Sequence, residues 1–314
     1  MRTLIFTTLL IGVAGAIFLP SLPVAGIAAT EMMPSPARQD AGASSKVVLP
    51  LKPNSLRFAV IGDSGTGSEG QYDLAREMLK VHEATDFGFV IMLGDNLYHG
   101  HSPADYEKKF ELPYKPLLDE GVRFYASLGN HDNTNEISYA PFNMNGRRYY
   151  TFVKENTEFF VLDSNYMDAT QLNWLRDELQ KSTSEWKIAY FHHPIYSSGK
   201  RHGSDTDLRA VLEPLFQKYK VNVVLSGHDH VYERIAPQDN IVYFVLGNSG
   251  QLRSGGLRKD PMEAAGLDTE RSFIVVEIAG NKLYFETISP TGRVVDSGTI
   301  SHQPAPASAA SGHS

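Results

Sequence analysis

The sequence predicts an α/β protein built on mixed sheets. Three observations carry that expectation. Short apolar runs alternate with stretches that repeat apolar residues at helical spacing over most of the chain. The segment from Tyr232 to Ile300 then holds strand patterns with no good helix between them. The 314 residues are 42% apolar, enough to bury one large core or two small ones.

The elements follow in order. Leu56 to Ile61 is a short apolar run and reads as a strand. Gln71 to His82 carries Leu74, Met78 and Val81 at helical spacing. Phe87 to Leu93 is a second buried strand, Pro103 to Leu118 a charged helical stretch, and Arg123 to Leu128 a third strand. Tyr149 to Val153 and Glu158 to Leu162 read as paired strands. After Thr170, Leu172, Leu175 and Leu179 form a helical stripe, followed by a strand from Trp186 to Phe191. Leu208, Val211, Leu212, Leu215, Phe216 and Tyr219 form a stronger stripe, in which Pro214 predicts a kink. Val221 to Ser226 is the next strand. No internal repeat of 20 to 50 residues is present in the sequence.

The two ends are expected to lie outside the fold. Residues 1–29 place Arg2 before an apolar run from Leu4 to Leu19 and then small residues, the pattern of a secretory signal. That run is short for a membrane span, so export is expected, with membrane attachment only if the segment stays uncleaved. Residues 30–54 are rich in Pro, Ala and Ser and are expected to be a flexible leader. Residues 55–300 form the expected folded domain, and residues 301–314 a disordered tail.

Composition excludes several functions. With no cysteine there is no disulfide, thiolate metal site, cysteine nucleophile or lipoprotein anchor. A formal net charge of −7 provides no general attraction to nucleic acid or anionic membranes. Positive charge for an anionic ligand must therefore be local.

Four buried strands end alike, in Gly followed by a polar residue able to bind a metal: Gly62-Asp63, Gly94-Asp95, Gly129-Asn130 and Gly227-His228. A fifth ends directly in His192. Gly allows a sharp exit from the sheet, and in open α/β sheets ligands sit beyond the carboxyl ends of strands. Five strand ends would then aim five side chains at one point. Tyr98 lies three residues after Asp95 and His230 two after His228. Six of the 11 histidines fall at or just beyond strand ends: His131, His192, His193, His202, His228 and His230. Oxygen and imidazole donors of this kind suit iron, manganese or zinc. Each motif alone is an ordinary turn or strand end; their joint occurrence is not.

Two rival classes account for fewer of these residues. Gly65-Thr66-Gly67-Ser68-Glu69-Gly70 matches G-x-G-x-x-G between a strand and a helix, as in a dinucleotide-binding oxidoreductase. It begins after Asp63 rather than off the strand, its acidic partner (Asp86 or Asp95) is loosely placed, and it leaves the later His and Asn unexplained. A flexible glycine loop covers the same residues. A non-catalytic metal-binding protein would not need His131 and His202, which are not obvious ligands.

The ordered set Gly62-Asp63-x-Gly65, Gly94-Asp95-x-x-Tyr98, Gly129-Asn130-His131-Asp132, His192-x-Pro194 and Gly227-His228-x-His230 resembles the metallophosphoesterase superfamily. Tyr98 resembles the purple acid phosphatase branch, and the single short domain its tartrate-resistant type. The resemblance is detailed over about residues 63 to 230. It implies a four-layer α-β-β-α fold: a β-sandwich of two mixed sheets flanked by helices. It implies Fe(III) at Asp63, Asp95, Tyr98 and His230, and a divalent ion (Fe, Mn or Zn) at Asp95, Asn130, His192 and His228, with Asp95 bridging. A bridging carboxylate suits two hard cations, and a phenolate favours ferric iron.

The implied reaction is hydrolysis of small phosphate monoesters by a metal-bound hydroxide, with diester hydrolysis as the alternative within the superfamily. His131 resembles the family residue that holds phosphate and protonates the leaving group, and His202 a second substrate histidine. No nucleic-acid partner is expected. His193 is expected to point away from the metals, and His99 and His101 to be solvated loop residues. Gly247-Asn248-Ser249-Gly250 also follows a strand, but the family takes no ligand there.

Overall fold

The computed structural model describes residues 48–302. The expected signal segment 1–29, most of the expected leader and all but two residues of the expected tail lie outside the described residues. The described stretch of the leader is tied to the sheet: Val48 N–H donates to Glu286 at 2.8 Å, and Leu51 and Lys52 N–H donate to the buried Glu277 at 2.8 and 2.6 Å. Attachment therefore begins several residues before position 55, and the last strand runs to Ser301.

The first half contains β1 (Leu56–Ile61), α1 (Glu69–Thr85), β2 (Phe89–Met92), α2 (Pro103–Tyr106), α3 (Leu112–Asp119) and β3 (Arg123–Ala126). A π-helical turn, Glu107–Glu111, joins α2 to α3, so the expected single helix is divided into three segments, with Pro113 in the first turn of α3. The backbone stays helical through the junction, with Glu111 at φ −64° and ψ −49°, and the wider π turn lies just before Pro113, which has no amide hydrogen to donate. Next come β4 (Tyr150–Lys154), β5 (Thr157–Val161), α4 (Ala169–Lys181), β6 (Trp186–Tyr190), α5 (Thr206–Tyr219) and β7 (Val223–Ser226). The strand-rich end holds β8 (Tyr232–Gln238), β9 (Ile241–Leu246), β10 (Glu263–Leu267), β11 (Phe273–Ala279), β12 (Lys282–Ile288) and β13 (Val294–Ser301).

These strands form two mixed sheets, ordered β13-β12-β11-β1-β2-β3 and β10-β8-β9-β7-β6-β5-β4. β1, β2 and β3 run parallel, as do β5, β6, β7 and β9. Parallel strands joined by helical crossovers are buried on both faces, which explains their nearly unbroken apolar runs. The sheets meet through aromatic rings: Phe58 lies 5.4 Å edge-on to Phe159, and Phe244 5.0 Å from Phe285. Leu74, Met78 and Val81 of α1 and Leu117 of α3 pack into the same core. On the other side, Leu175 and Leu179 of α4 and Leu208, Leu212 and Phe216 of α5 cover Phe160, Ala189 and Phe191. The result is the expected α-β-β-α layering.

One buried polar network also joins the sheets. Arg234 of β8 makes a two-point ion pair with Asp296 of β13, at 2.8 and 3.1 Å, and the Tyr232 hydroxyl donates to the same carboxylate at 2.5 Å. All three residues are buried. Among the described residues, no helix is long and apolar enough to cross a membrane.

Candidate metal centre

The parallel strands of both sheets deliver the predicted residues at their carboxyl ends. β1 leads into Asp63, β2 into Asp95, β3 into Asn130, β6 into His192 and β7 into His228. Asp63, Asp95 and His228 have φ of 52°, 51° and 70°, the left-handed region that branched side chains avoid. Such backbone persists only where the surroundings enforce it. Here the loops are pressed together. A Cβ at Gly129 would lie 2.2 Å from Asp95 Oδ1, and one at Gly227 would lie 2.4 Å from Asp63 Oδ2. Glycine at these strand ends therefore provides room for the neighbouring carboxylate.

The side chains converge in two groups. The Tyr98 hydroxyl lies 2.7 Å from Asp95 Oδ2, 3.0 Å from Asp63 Oδ1 and 3.3 Å from His230 Nε2. His192 Nε2 lies 3.4 Å from Asp95 Oδ1, 3.0 Å from Asn130 Oδ1 and 3.1 Å from His228 Nδ1. Asp95 thus turns one oxygen to each group. Backbone donors hold the carboxylates: His228 N–H donates to Asp63 Oδ2 and His131 N–H to Asp95 Oδ1, both at 2.9 Å. His192 Nδ1 faces the Leu93 carbonyl at 3.0 Å, which directs its other nitrogen into the centre.

The electrostatics fit cations. Asp63 and Asp95 are buried side by side, and among the described residues neither is paired with a lysine or arginine. Burial raises the Asp63 pKa above the usual carboxylate range. Burial, followed by the charges of Asp63 and Asp95, pushes the Tyr98 phenol far up. Burial and then the neighbouring His192 drive the His228 pKa far down, leaving a neutral imidazole. Adjacent buried carboxylates beside the neutral His228 imidazole are costly without positive charge, and a multivalent cation inverts that cost. Asp63, Asp95 and His230 also present ligand atoms within 4.8 Å of one another.

The histidines around this centre divide. The His131 ring lies 4.8 Å from the Tyr98 ring on an exposed residue. The His202 ring packs 4.0 Å from that of His228. Its loop is held by the buried Asp229, which accepts from Ser197 Oγ at 2.7 Å, Gly203 N–H at 3.0 Å and His202 N–H at 3.3 Å. The nearby Arg201 and Arg253 help to lower the His202 pKa, after burial. Both arginines therefore bring positive charge into the neighbourhood of His202.

Three expectations need correction. His193 does not turn to the far side: its ring lies 4.4 Å from His228, and its Nδ1 is 2.8 Å from Ser164 Oγ. β6 ends at Tyr190 and the chain bends at His192 and His193, so strand alternation no longer governs them. His101 is not solvated either. Half-buried, it lies 3.2 Å from Glu136 and hydrogen-bonds the His131 backbone, while His99 is exposed as expected. The glycine loop is not loose: a Cβ at Gly65 would collide with the Asn96 carbonyl, so this glycine serves packing rather than a dinucleotide.

Sequence reasoning missed the supports. Asp132 accepts from Gly129 N–H at 2.7 Å, Leu97 N–H at 3.1 Å and Asn96 Nδ2 at 3.0 Å, clamping the β2 and β3 exits together. Asp132 stands inside a recognised motif, but its role depends on which loop faces it. After β9, Asn248 bonds to Glu270 and Ser272 rather than to the centre.

The fold and site define a metal-dependent phosphoric ester hydrolase. Residues 56–232 match the calcineurin-like phosphoesterase family, and the chain belongs to it. It is similar to purple acid phosphatase 7 of Arabidopsis thaliana, 27% identical over 80% of this chain and 88% of the relative. It is also similar to tartrate-resistant acid phosphatase type 5 of Rattus norvegicus, 23% identical over 81% of this chain and 92% of that one. The solved purple acid phosphatase PPD1 of yellow lupin superposes with a TM-score of 0.67 at 18% identity, covering 81% of this chain and 55% of the other. Homology with purple acid phosphatases implies a dinuclear metal centre.

Proposed function

We propose that this chain is an exported, purple acid phosphatase-like enzyme that hydrolyses phosphate monoesters. The supporting observation is the placement of Asp95, with one carboxylate oxygen toward each of two donor groups. Asp63, Asp95, Tyr98 and His230 would hold ferric iron. Asp95, Asn130, His192 and His228 would hold a divalent iron, manganese or zinc ion. When bound, the two cations supply Lewis-acid charge to the phosphate oxygens and lower the pKa of a nearby water.

The chain's own residues do the rest. His202, with the charges of Arg201 and Arg253 in its neighbourhood, holds a phosphate oxygen. His131, exposed at the mouth, gives its proton to the ester oxygen as the bond from phosphorus to that oxygen breaks. The water oxygen bonds to phosphorus on the side opposite the departing oxygen and gives up a proton to solvent, so inorganic phosphate and an alcohol leave. His101, against the His131 backbone, and Asp132 keep the His131 loop in register.

Metal analysis with a visible spectrum tests the centre. Two metals per chain are expected, with a visible band from phenolate-to-iron charge transfer. Tyr98→Phe keeps the ring and its packing but removes the oxygen, so the band should vanish while the fold survives. Full activity with one metal overturns the two-metal reading. A band that persists in Tyr98→Phe overturns the assignment of Tyr98.

Export rests on the pattern of residues 1–29, which lie outside the described residues. Amino-terminal sequencing of the mature protein should start between Gly26 and Glu31. Met1 on a membrane-bound product would overturn export in favour of an anchor.

A further inference from the structure

A sixth strand end also faces this region. β5 closes on Asp163 with no glycine, so it does not belong to the motif series. Asp163, with Ser164, Asn165 and Tyr166 after it, forms one wall of a groove of about 460 Å³ whose other lining includes Asn130 and His193. The groove therefore opens directly from the metal centre.

Its wall is built in advance. Asn165 Nδ2 donates to the Leu128 and Gly129 carbonyls, both at 3.3 Å, which ties the wall to the loop of Asn130. Ser164 Oγ accepts from His193 N–H at 3.0 Å. The buried Asp163 holds Arg148 at 3.1 Å, and the guanidinium lies 5.5 Å from the centre of the Tyr166 ring. Tyr166 is 65% exposed and is the only aromatic among the exposed large apolar side chains of the described residues. An exposed ring anchored on one side by a guanidinium, at the rim of a polar groove, leaves the remainder of its surface for a bound ring.

Charge narrows the ligand. The groove is lined by one cation, Arg148, against three carboxylates, Asp132, Asp163 and Asp205. Arg148 is already paired with Asp163. A second phosphate or carboxylate on the substrate would meet no uncompensated positive charge here, and like charge would disfavour it. Arg201 and Arg253, whose charges act on His202, do not line this groove.

We propose that this groove is the leaving-group subsite and that Tyr166 is a specificity-determining residue. It selects phosphate monoesters of uncharged, ring-bearing alcohols over esters with a flexible aliphatic alcohol or a second anionic group. The inference rests on the phosphatase reading above, because it concerns the alcohol that leaves that centre.

The test compares wild type, Tyr166→Ala and Tyr166→Phe as full-length, metal-loaded proteins. Phenyl phosphate, 4-carboxyphenyl phosphate and glycerol 2-phosphate are the substrates. Binding of phenylphosphonate and methylphosphonate, which are not esters, is measured in parallel. Tyr166→Ala should raise KM for phenyl phosphate about threefold to tenfold, the worth of one aromatic contact, with kcat unchanged. It should leave glycerol 2-phosphate unmoved, and Tyr166→Phe should restore the wild-type KM. Wild type should prefer phenyl phosphate to its carboxylated analogue. Equal effects on all substrates, no effect on any, or no penalty for the added carboxylate overturns the proposal.

The two readings separate cleanly. If no ester is cleaved but phenylphosphonate outbinds methylphosphonate in a Tyr166-dependent manner, the phosphatase reading falls and the subsite stands. If esters are cleaved without ring selectivity, the subsite falls and the phosphatase reading stands. If there is neither cleavage nor ring-selective binding, both fall.

Discussion

Replacing His131 by alanine is expected to lower kcat by about 10²–10⁴-fold, the usual contribution of a positioned general acid. Metal content should stay near two ions per chain. The geometry makes this a clean experiment. His131 supports the centre through its backbone, whose N–H donates to Asp95 Oδ1 at 2.9 Å, and alanine keeps that amide. The substitution removes only an exposed imidazole beside Tyr98. If that ring protonates the leaving oxygen, poor leaving groups should suffer most: alkyl phosphates more than nitrophenyl phosphate, whose departing oxygen needs little help. An unchanged kcat for alkyl esters, with both metals retained, would show that His131 plays no role in proton transfer.

The largest expected effect on stability lies far from the centre. Asp296→Ala should destabilise the fold by about 3–5 kcal/mol, because removing one partner of a buried ion pair strands the other charge. Arg234 would lose both of its carboxylate contacts, and the Tyr232 hydroxyl would lose its acceptor. The loss acts between the two sheets, since Arg234 is on β8 and Asp296 on β13. Denaturant unfolding at matched metal load measures it. The double variant Arg234→Met with Asp296→Leu should recover most of the stability, since an apolar pair of similar bulk removes the desolvation cost. A single variant within about 1 kcal/mol of wild type, the median for exposed pairs, would mean that water reaches this pair.

Much of the site was legible because its signals are local. Gly-Asp, Gly-Asn and Gly-His after an apolar run describe a strand, a tight exit and a donor within a few residues. The structure brings these donors together at the carboxyl edge of both sheets. Pro103 to Leu118 was readable as helical, but its π-helical middle was not, since one extra residue per turn hardly alters an apolar pattern. His101 was misread because its surroundings come from Glu136 and the His131 backbone, more than 25 residues away.

The succession of strands and helices, the glycine exits and the donor that follows each exit are thus what the sequence by itself determined: each rests on residue type and short-range spacing. The tertiary structure alone decided the order of strands in the two sheets, the clamp of Asp132 on two strand exits, the support of the His202 loop by Asp229, and the place of His193 beside His228. It alone opened a groove between Asn130 and Tyr166. The physical reason is the same in each case. These features depend on which loops meet across the edge of a parallel sheet, and that is set by crossover packing and register between residues distant in the chain.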